Sequence, residues 1–301
     1  MRFKTLVSTL AMLGVAAGTA AAQDLTGTLK KIKETGSITL GHRESSVPFS
    51  YYDDKQQVVG YAMDLCLRIV DAVKKELKLD KLEVKLNPVT SATRIPLIAN
   101  GTVDLECGST TNNNERQKQV GFTITHFVTA NRFVSKKARN IKSVEDLRGK
   151  TIVSTSGTTN ITQITEIGAQ KGLNLNILAA KDHAEEFLMV ETDRAAAFVM
   201  DDILLYSLVA GAKSPQEYEI SPEALSVEPY GIMMRRDDPA FKKVVDQAQI
   251  ATYKSGAINA IYDKWFLKPI PPKNINLNVP MSDAFKKVIA SPTDSGDPAV
   301  Y

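Results

Sequence analysis

Cysteine, histidine and tryptophan are scarce in this chain, which has two, three and one of them among 301 residues. The histidines, His42, His126 and His183, are far apart in sequence, and neither an H-E-x-x-H nor a C-x-x-C pattern occurs. We therefore expect no metal site. The chain also lacks a G-x-S-x-G nucleophile motif and a G-x-x-x-x-G-K-S/T phosphate loop, which argues against a serine hydrolase and against ATP binding. No cofactor is expected.

Long apolar runs are absent from all but the N-terminus. Residues 1–22 begin with Arg2 and Lys4, continue with an apolar run from Leu6 to Ala17 and end in small residues, the pattern of a secretory signal peptide. We predict cleavage after Ala22. Because the apolar run is shorter than the roughly 20 residues of a membrane-spanning helix, we expect a soluble, exported mature protein.

Neither sign of charge dominates. The full chain has 37 basic and 34 acidic side chains. Removal of the signal takes away Arg2 and Lys4 and no acidic residue, which leaves 35 basic and 34 acidic side chains, a net charge of +1. Nucleic acid is therefore not an expected partner. The remaining length, about 280 residues, suits two domains, and we expect a monomer.

Cys66 and Cys107 are the only thiols in the sequence. An exported protein reaches a compartment where a disulfide can persist. Such a bond requires the predicted helix that carries Cys66 to touch the strand end that carries Cys107. The alternative is that both are separate, buried, small apolar side chains, and this is the interpretation that we favour from the sequence.

Strand-like and helix-like runs alternate twice along the chain, which is the pattern of parallel sheets with crossover helices. The first alternation comprises predicted strands at 38–41, 82–88 and 103–107 and helices at 62–78 and 94–100. The second comprises strands at 151–155, 174–179 and 195–200 and helices at 160–171, 183–192 and 202–210. We predict two α/β units.

Two further β-rich runs, 127–135 and 227–235, are predicted to be paired crossings between the two units. A helix is then expected from Asp238 to Lys254, with the aspartate as cap and a proline in the first turn, and another over 257–266. This portion is expected to return to the first unit. Residues 291–301 are polar and rich in turn formers, and we expect them to be frayed.

Polar segments directly follow the predicted strands. They are 42–46 in the sequence HRESS, 109–111 within GSTTNNNERQ, 156–159 in the sequence SGTT, and Asp201. Ligands of open α/β sheets bind at the carboxyl ends of strands. We therefore expect the two units to present these segments to one cleft.

Three of these segments contain groups suited to a charged ligand. Arg116 follows Thr111 by five residues, so a folded loop would bring a planar guanidinium and a hydroxyl to one carboxylate; the alternative is a solvated surface arginine. Residues 156–159 precede a helix whose free N–H groups suit an anion, although an ordinary helix cap explains the same residues. We assign Asp201 to a ligand cation, with capping by Asp201 and Asp202 as the alternative.

Other donors lie near predicted strand ends, and each one alone is typical of a solvated surface. They are Arg43, Arg94 and His183. Ser91, in the segment TSATRIP, lies about one helical turn from Arg94 and faces it.

Taken together and in this order, six segments resemble the periplasmic glutamate/aspartate-binding proteins of ABC importers, within the amino-acid class of solute-binding proteins. The segments are HRESSVPFSYYDD, TSATRIP, ECGSTTNNNERQ, TSGTT, AKDH and FVMDD. The resemblance runs from about residue 29 to residue 285, and Cys66 departs from the motifs of the family.

The resemblance implies an α/β fold of the type II periplasmic-binding-protein class. Each of its two lobes would have a mostly parallel sheet flanked by helices, with the ligand in the cleft between them. Lobe 1 would comprise residues 23–129 and 227–301, and lobe 2, inserted into it, residues 130–226. The hinge strands would lie near 127–135 and 227–235.

The resemblance also implies roles for the candidate side chains. The α-carboxylate of the ligand would be held by Arg116, Thr111 and Thr159. Its α-ammonium group would be held by Asp201 and the region of Ser109. A side-chain carboxylate would be held by Arg43, Ser91, Arg94 and His183, with Thr155 as a further neighbour.

The expected ligand is L-glutamate or L-aspartate, delivered from the periplasm to an inner-membrane ABC permease with a separate ATPase. The count of charges agrees, because Arg43, Arg94 and Arg116 less Asp201 give the cleft +2. The expected protein is not an enzyme. The alternatives are a cyclohexadienyl dehydratase-like enzyme on the same fold, with Glu44 or Glu106 as acid, and a binding protein for glutamine or another neutral amino acid. A chemosensory role would use the same site.

Overall fold

The computed structural model describes residues 25–301. The predicted signal peptide, residues 1–22, and its cleavage after Ala22 lie outside these residues. In the described part of the chain, no helix combines the length and the apolar character needed to cross a bilayer.

Fourteen strands form within residues 25–301. They are β1 (Ser37–His42), β2 (Ser45–Ser46), β3 (Ser50–Tyr52), β4 (Val58–Val59), β5 (Glu83–Pro88), β6 (Leu105–Glu106), β7 (Val120–Phe122), β8 (Phe127–Lys136), β9 (Thr151–Thr155), β10 (Asn176–Ala180), β11 (Ala197–Asp201), β12 (Tyr218–Ile220), β13 (Ser226–Tyr230) and β14 (Met233–Arg235).

Ten α-helices accompany these strands over the same described range. They are α1 (Gly27–Thr35), α2 (Tyr61–Glu76), α3 (Arg94–Ala99), α4 (Asn114–Gln117), α5 (Thr159–Gln170), α6 (His183–Glu191), α7 (Asp202–Ala210), α8 (Pro239–Lys254), α9 (Ala257–Tyr262) and α10 (Asp283–Ala290). A π-helical turn, Asp263–Leu267, follows α9 directly. The predicted cap of α8 is present, because the Asp238 carboxylate accepts a hydrogen bond from the N–H of Phe241.

The first sheet has the strand order β5-β1-β6-β14-β7. Strand β1 pairs in parallel with β5 and β6, whereas β14 is antiparallel to β6 and β7. The second sheet has the order β10-β9-β11-β8-β12, and β13 also pairs with β8. Strands β9, β10 and β11 are parallel, and β8 is antiparallel to its neighbours. Each lobe therefore has one of these larger sheets, and β2, β3 and β4 form a separate, antiparallel three-stranded sheet.

The sheets are mixed, whereas the expectation was that they would be mostly parallel. The antiparallel pairs arise where the chain passes from one lobe to the other. Strand β8 leaves the first lobe, and β13 returns beside it in antiparallel register, Ser226 opposite Asn131 and Tyr230 opposite Phe127. The predicted crossings are thus paired, but the run 227–235 is two strands, because the chain changes sheets after Tyr230. The exact lobe boundaries stay a prediction.

An aromatic cluster packs where the crossing strands meet the first lobe. Phe49 lies at its centre, with ring centroids 5.1 Å from Phe127, 5.2 Å from Tyr230 and 5.8 Å from Phe266. Aromatic pairs at these separations add to the free energy gained from burial of apolar area. The cluster joins the β2–β4 hairpin, both crossing strands and the C-terminal helices, and so holds the base of the cleft.

Residues 291–301 are packed, so the expectation of a frayed terminus was wrong. The carbonyl oxygen of Asp294 accepts a hydrogen bond of 2.8 Å from Nδ2 of Asn112, and the hydroxyls of Tyr301 and Thr125 lie 2.7 Å apart. Gly296 packs so closely on Asn113 that an added Cβ would lie 2.7 Å from its carbonyl carbon. Local composition predicts that this segment forms turns. It does not predict the distant residues that hydrogen-bond to the turns and hold them in place.

Cys66 and Cys107 form a disulfide, so the favoured interpretation of two separate thiols was wrong. The bond joins α2 to the segment after β6, with a Cα–Cα distance of 6.2 Å. Helix α2 packs on the first sheet with its Cys66 face buried, which brings the two thiols together. The bond ties the start of the loop 108–117 to the core of the first lobe.

Removal of this disulfide should lower the free energy of unfolding substantially. The bond closes a loop with a sequence separation of 41 residues, for which loop-closure entropy gives about 4 kcal/mol. We expect Cys66→Ala/Cys107→Ala to lose about this amount in urea denaturation.

Wild-type protein unfolded in dithiothreitol serves as the control, because it loses the bond and keeps both side chains. It should match the double variant, and the reductant should leave the variant unchanged. Equal denaturation midpoints for oxidised and reduced wild-type protein would show that the bond contributes nothing.

Candidate functional site between the lobes

A small cavity lies where the strand ends of both sheets converge. The first lobe contributes the segments after β5 and β6, and the second lobe those after β9, β10 and β11. The lining side chains are Ser91, Arg94, Ser109, Thr111, Thr158, Thr159, Asn160, His183, Met200, Asp201 and Leu204. Seven of the ten predicted site residues line this one cavity. Of the other three, Arg116 and Thr155 are hydrogen-bonded to the lining residues Thr111 and His183, and Arg43 is close enough to lower the pKa of His183.

Arg94 is held on the first lobe by a buried network. Its Nη1 donates to the carbonyl oxygen of Ser109 at 3.1 Å and to the hydroxyl of Thr110 at 2.5 Å. The Thr110 hydroxyl in turn donates to Oε2 of Glu106 at 2.6 Å. Within the described chain, Nε of Arg94 and the hydroxyls of Ser91 and Ser109 have no hydrogen-bond partner although they are buried. These unsatisfied groups lie around the cavity.

Arg116 folds back on its own loop, as the spacing predicts. It belongs to the short helix α4, whose cap is the side chain of Asn113. Its Nη1 donates to the carbonyl oxygen of Thr111 at 2.9 Å, and its Nη2 donates across the cleft to the carbonyl oxygen of Gly157 at 3.3 Å. The alternative of a solvated surface arginine is wrong, because only 7% of Arg116 is exposed.

The start of α5 combines both interpretations of the SGTT segment. Thr158 is an ordinary cap, since its hydroxyl accepts from the N–H of Ile161. The next two residues, Thr159 and Asn160, line the cavity. The N-terminal end of this helix therefore faces the cavity with its positive dipole end.

Asp201 is the acidic group of the cavity, and it does not cap α7 with its side chain. Its carboxylate accepts hydrogen bonds from Nδ2 of Asn160, at 2.7 Å, and from the hydroxyl of Tyr230. Burial, and then the nearby Glu228, raise the pKa of Asp201 to about 7. Asp202 points elsewhere and pairs with Thr129 and Arg132, so the alternative of capping by both aspartates was wrong.

His183, Thr155 and Glu186 form a second buried network, on the other wall. Nδ1 of His183 and Oε2 of Glu186 each lie 2.9 Å from the hydroxyl oxygen of Thr155. Burial raises the pKa of Glu186 to about 8, against an opposing effect of the Thr155 hydrogen bond. Burial also lowers the pKa of His183 well below its ordinary value, and the guanidinium groups of Arg43 and Arg94 lower it further.

Three guanidinium groups thus crowd one buried site. Burial, followed by repulsion from Arg94, lowers the pKa of Arg43 and of Arg116 to about 10 in each case. Nη1 of Arg43 finds no hydrogen-bond partner within residues 25–301. Buried donors of a charged group are costly when they have no partner, so Nη1 of Arg43 and Nε of Arg94 favour an anionic ligand at this site.

The charge of +2 expected for the cleft was wrong, because the buried acids Glu106 and Glu228 were left out of that count. Sequence reasoning also missed the buried Glu186, whose pKa is raised to about 8. Glu106, Glu186 and Glu228 are at most 1% exposed, and each acts on one or more of the arginines. Sequence reasoning also missed Tyr230 and Asn160, which hold Asp201. Two of the acids have a signal in the sequence: Glu106 lies in the polar segment after a predicted strand and was named as a candidate acid, and Glu186 follows His183 by three residues on one helical face.

The described residues contain no cluster of three or more histidine, cysteine, aspartate or glutamate side chains that could hold a metal ion. The site is instead a cavity between two lobes, and its lining includes several hydroxyls, the guanidinium group of Arg94 and the carboxyl group of Asp201. Residues 38–268 match the family of bacterial extracellular solute-binding proteins, family 3. The chain belongs to this family.

This solute-binding protein is similar to curated proteins over almost its whole length. It is 55% identical over 291 residues to the L-glutamate/L-aspartate-binding protein of Pseudomonas aeruginosa, with 96% of each chain covered. It is 47% identical over 298 residues to the glutamate/aspartate import solute-binding protein of Salmonella typhimurium, with 98% of this chain and 99% of the relative covered. These likenesses confirm the family predicted from the sequence motifs.

A solved structure shares the fold. An ancestral arginine-binding protein bound to arginine matches with a TM-score of 0.70 at 27% identity, covering 77% of this chain and 98% of the other. The predicted type II two-lobed α/β class is therefore confirmed for this solute-binding protein.

Loss of the Thr110 hydroxyl should destabilise the protein. Thr110→Val keeps the shape of the side chain but leaves Oε2 of Glu106 without its donor and removes one acceptor from Arg94. Buried polar groups left unsatisfied cost about 1–3 kcal/mol, and charged ones more. We therefore expect the free energy of unfolding to fall by about 3 kcal/mol in urea titrations.

Thr252→Val is the matched control. Its hydroxyl is also buried, but it donates only to the carbonyl oxygen of Ala248 in its own helix. It should lose less than about 1 kcal/mol. Similar losses of unfolding free energy for the two variants would show that the Arg94–Thr110–Glu106 network stabilises the protein no more than an ordinary buried hydroxyl does.

Proposed function

We propose that this solute-binding protein captures L-glutamate and L-aspartate between its lobes and delivers them to an ABC permease. The observation that carries this proposal is a set of buried donors without a partner, Nε of Arg94 and the hydroxyls of Ser91 and Ser109, around a cavity that is also lined by the buried carboxyl group of Asp201. Nη1 of Arg43 is a further buried donor without a partner among the described residues. An α-amino acid brings one carboxylate and one ammonium group. The remaining guanidinium groups call for a second carboxylate, and the names of the relatives from P. aeruginosa and S. typhimurium support that ligand class.

The α-groups of the ligand bind near the crossing strands. Arg116, Thr111 and Thr159 hold the α-carboxylate, helped by the N-terminal end of α5. Asp201, with the region of Ser109, receives the α-ammonium group. A cation beside Asp201 favours its charged form, and this offsets the burial that raises its pKa.

The side-chain carboxylate binds at the far wall. Arg43, Ser91, Arg94 and His183 line or back that wall, and Thr155 lies behind His183 rather than on the cavity surface. We therefore move Thr155 from direct contact to a supporting position. Charge-assisted hydrogen bonds from guanidinium groups to a carboxylate are among the strong ones in proteins.

Lobe closure completes the site. Arg116 of the first lobe reaches the carbonyl oxygen of Gly157 in the second. Gly157 itself lies against Ala92 of the first lobe, so closely that an added Cβ would be 2.6 Å from the Ala92 Cα atom. A ligand that contacts both walls stabilises this closed arrangement.

The protein acts in transport rather than in catalysis. Its curated relatives are binding proteins by name, one of them of an import system. We propose export to the periplasm by the N-terminal signal, function as a monomer, and a separate ATPase as the energy source for the permease. A chemosensory role would use the same closed form.

Calorimetry with glutamate, aspartate, glutamine and prephenate tests the ligand. We expect both acidic amino acids to bind, and glutamine to bind several hundredfold more weakly, because a guanidinium group left without its partner costs about 3–5 kcal/mol. Tighter binding of glutamine than of glutamate would contradict the proposal. Turnover of prephenate would identify a dehydratase-like enzyme instead.

Gly157→Ala should weaken ligand binding by obstructing closure. Gly157 has φ +78°, which an alanine adopts only with strain, and the new methyl group would meet Ala92. Gly149 has φ +67° with nothing within 4 Å of an added Cβ, so Gly149→Ala carries the strain without the collision.

We expect both variants to lose about 1–2 kcal/mol of stability, and only Gly157→Ala to lose affinity for glutamate, by at least about tenfold. Small-angle scattering with saturating glutamate should show a larger radius of gyration for Gly157→Ala than for Gly149→Ala. Equal affinities would show that the contact with Ala92 does not limit closure.

A further inference from the structure

The two ring nitrogens of His183 have different surroundings. Nδ1 lies 2.9 Å from the hydroxyl oxygen of Thr155. Nε2 is buried and has no hydrogen-bond partner in the described part of the chain, although His183 lines the cavity. Nε2 is therefore the ring nitrogen that is available to a ligand, and whether it carries a hydrogen decides what it can bind.

The Thr155 hydroxyl couples this ring to Glu186. Its oxygen is 2.9 Å from Oε2 of Glu186 as well as from Nδ1 of His183, and all three side chains are almost fully buried. A hydroxyl has a single hydrogen and can donate to only one of the two neighbours. The protonation of the carboxyl group and the tautomer of the ring consequently depend on each other.

Two arrangements satisfy all three groups. With a neutral Glu186, its O–H donates to Thr155, the Thr155 O–H donates to Nδ1, and the ring hydrogen is on Nε2. With a charged Glu186, Thr155 donates to Oε2 and accepts from Nδ1–H, so Nε2 is bare. Between the first arrangement and the second, the Glu186 hydrogen moves to the Thr155 oxygen and the Thr155 hydrogen moves to Nδ1 of His183. The hydrogen on Nε2 is released to solvent.

Only the first arrangement suits a carboxylate, because Nε2–H donates to it, whereas a bare Nε2 presents a lone pair to a negative oxygen. We propose that Glu186, acting through the Thr155 hydroxyl, places the hydrogen of His183 on Nε2 and so makes this wall of the cavity a donor for a ligand carboxylate. Glu186 is a positioning residue in this role. The inference rests on the proposed function, since it requires an acidic ligand in the cavity.

The surrounding charges favour the neutral arrangement. Glu186 is buried, with Asp182 and Glu185 nearby on the α6 side and the opposing Arg43 on the first lobe, and its pKa is raised to about 8. His183 faces Arg43 and Arg94, and its pKa is lowered, so a charged ring beside a charged Glu186 is disfavoured. Asp201, also of raised pKa, lies across the cavity and titrates in the same range.

The sign of the pH dependence follows from this arrangement. Because the Nε2–H donor requires the protonated form of Glu186, its contribution to the affinity is present below about pH 8 and is lost as the pH rises through the pKa of Glu186. Loss of a single proton weakens binding by about tenfold for each pH unit above that value.

Glu186→Gln tests the relay with glutamate as the probe. The amide N–H₂ donates permanently to Thr155 and so reproduces the neutral arrangement. We expect calorimetry to give affinities within about threefold of wild type at pH 7, and above pH 8 the ratio of variant to wild-type affinity should rise about tenfold per pH unit. The ligand amine and Asp201 titrate alike in both proteins and cancel in this ratio.

Glu185→Gln is the matched control, because it removes the same charge from an exposed neighbour on α6 and leaves the relay intact. It should keep the wild-type loss of affinity at alkaline pH, with a midpoint at slightly lower pH, because the Glu185 charge helps to raise the pKa of Glu186. Coinciding profiles for wild type and Glu186→Gln would overturn the relay while leaving the proposed ligand in place. Absence of glutamate binding by wild-type protein at every pH would overturn the proposed function itself.

Thr155 and the ring provide independent readouts. Thr155→Val should weaken glutamate binding by about 10- to 100-fold, and Thr155→Ser should restore it.

Nitrogen-15 spectra of the ligand-free protein at pH 7, with His183 assigned through a His183→Asn variant, should show the Nε2–H tautomer. An Nδ1–H tautomer in wild-type protein would overturn the proposal.

Discussion

Burial of three guanidinium groups at one point between two lobes is the constraint on which the rest of the structure depends. A guanidinium removed from water must be paired or hydrogen-bonded, or its burial is too costly to sustain. Arg94 is supported by Thr110 and Glu106, and Arg116 by backbone carbonyl groups from both lobes. Nη1 of Arg43 finds no such support within the described residues. The remaining donor capacity is what the site offers to a carboxylate.

The crossing strands connect this electrostatic requirement to the fold. Strand β13 brings Tyr230 beneath the cavity, where its hydroxyl donates to Asp201 of the second lobe. The same residue packs its ring against Phe49 in the first lobe. One side chain at the point of passage therefore belongs to the aromatic cluster and also contacts Asp201, the group that we propose receives a ligand cation.

Much of the fold was predictable because hydrophobic periodicity is a local property. Strand β9 and helix α7 begin and end where the pattern predicts, and the paired crossings follow from two β-rich runs without a helix signal. Residues 291–301 and the Cys66–Cys107 bond were not predictable in this way. Each depends on a contact between segments far apart in sequence, Asn112 with Asp294 or α2 with the end of β6, and a local pattern contains no information about such a contact.

The candidate site divides along the same line. The sequence alone predicted the types of side chain in the site and their positions after strands, because the strand ends of an α/β sheet converge on one edge. This was sufficient to predict that Arg94, Thr111 and Asp201 line one cavity. The net charge around the cavity and the direction of its hydrogen bonds are determined by the tertiary structure and could not be predicted from the sequence. Glu106 bonds to the Thr110 hydroxyl of its own loop and Glu186 to the Thr155 hydroxyl at the end of β9. The protonation of a buried carboxyl group depends on burial and neighbours that exist only after folding.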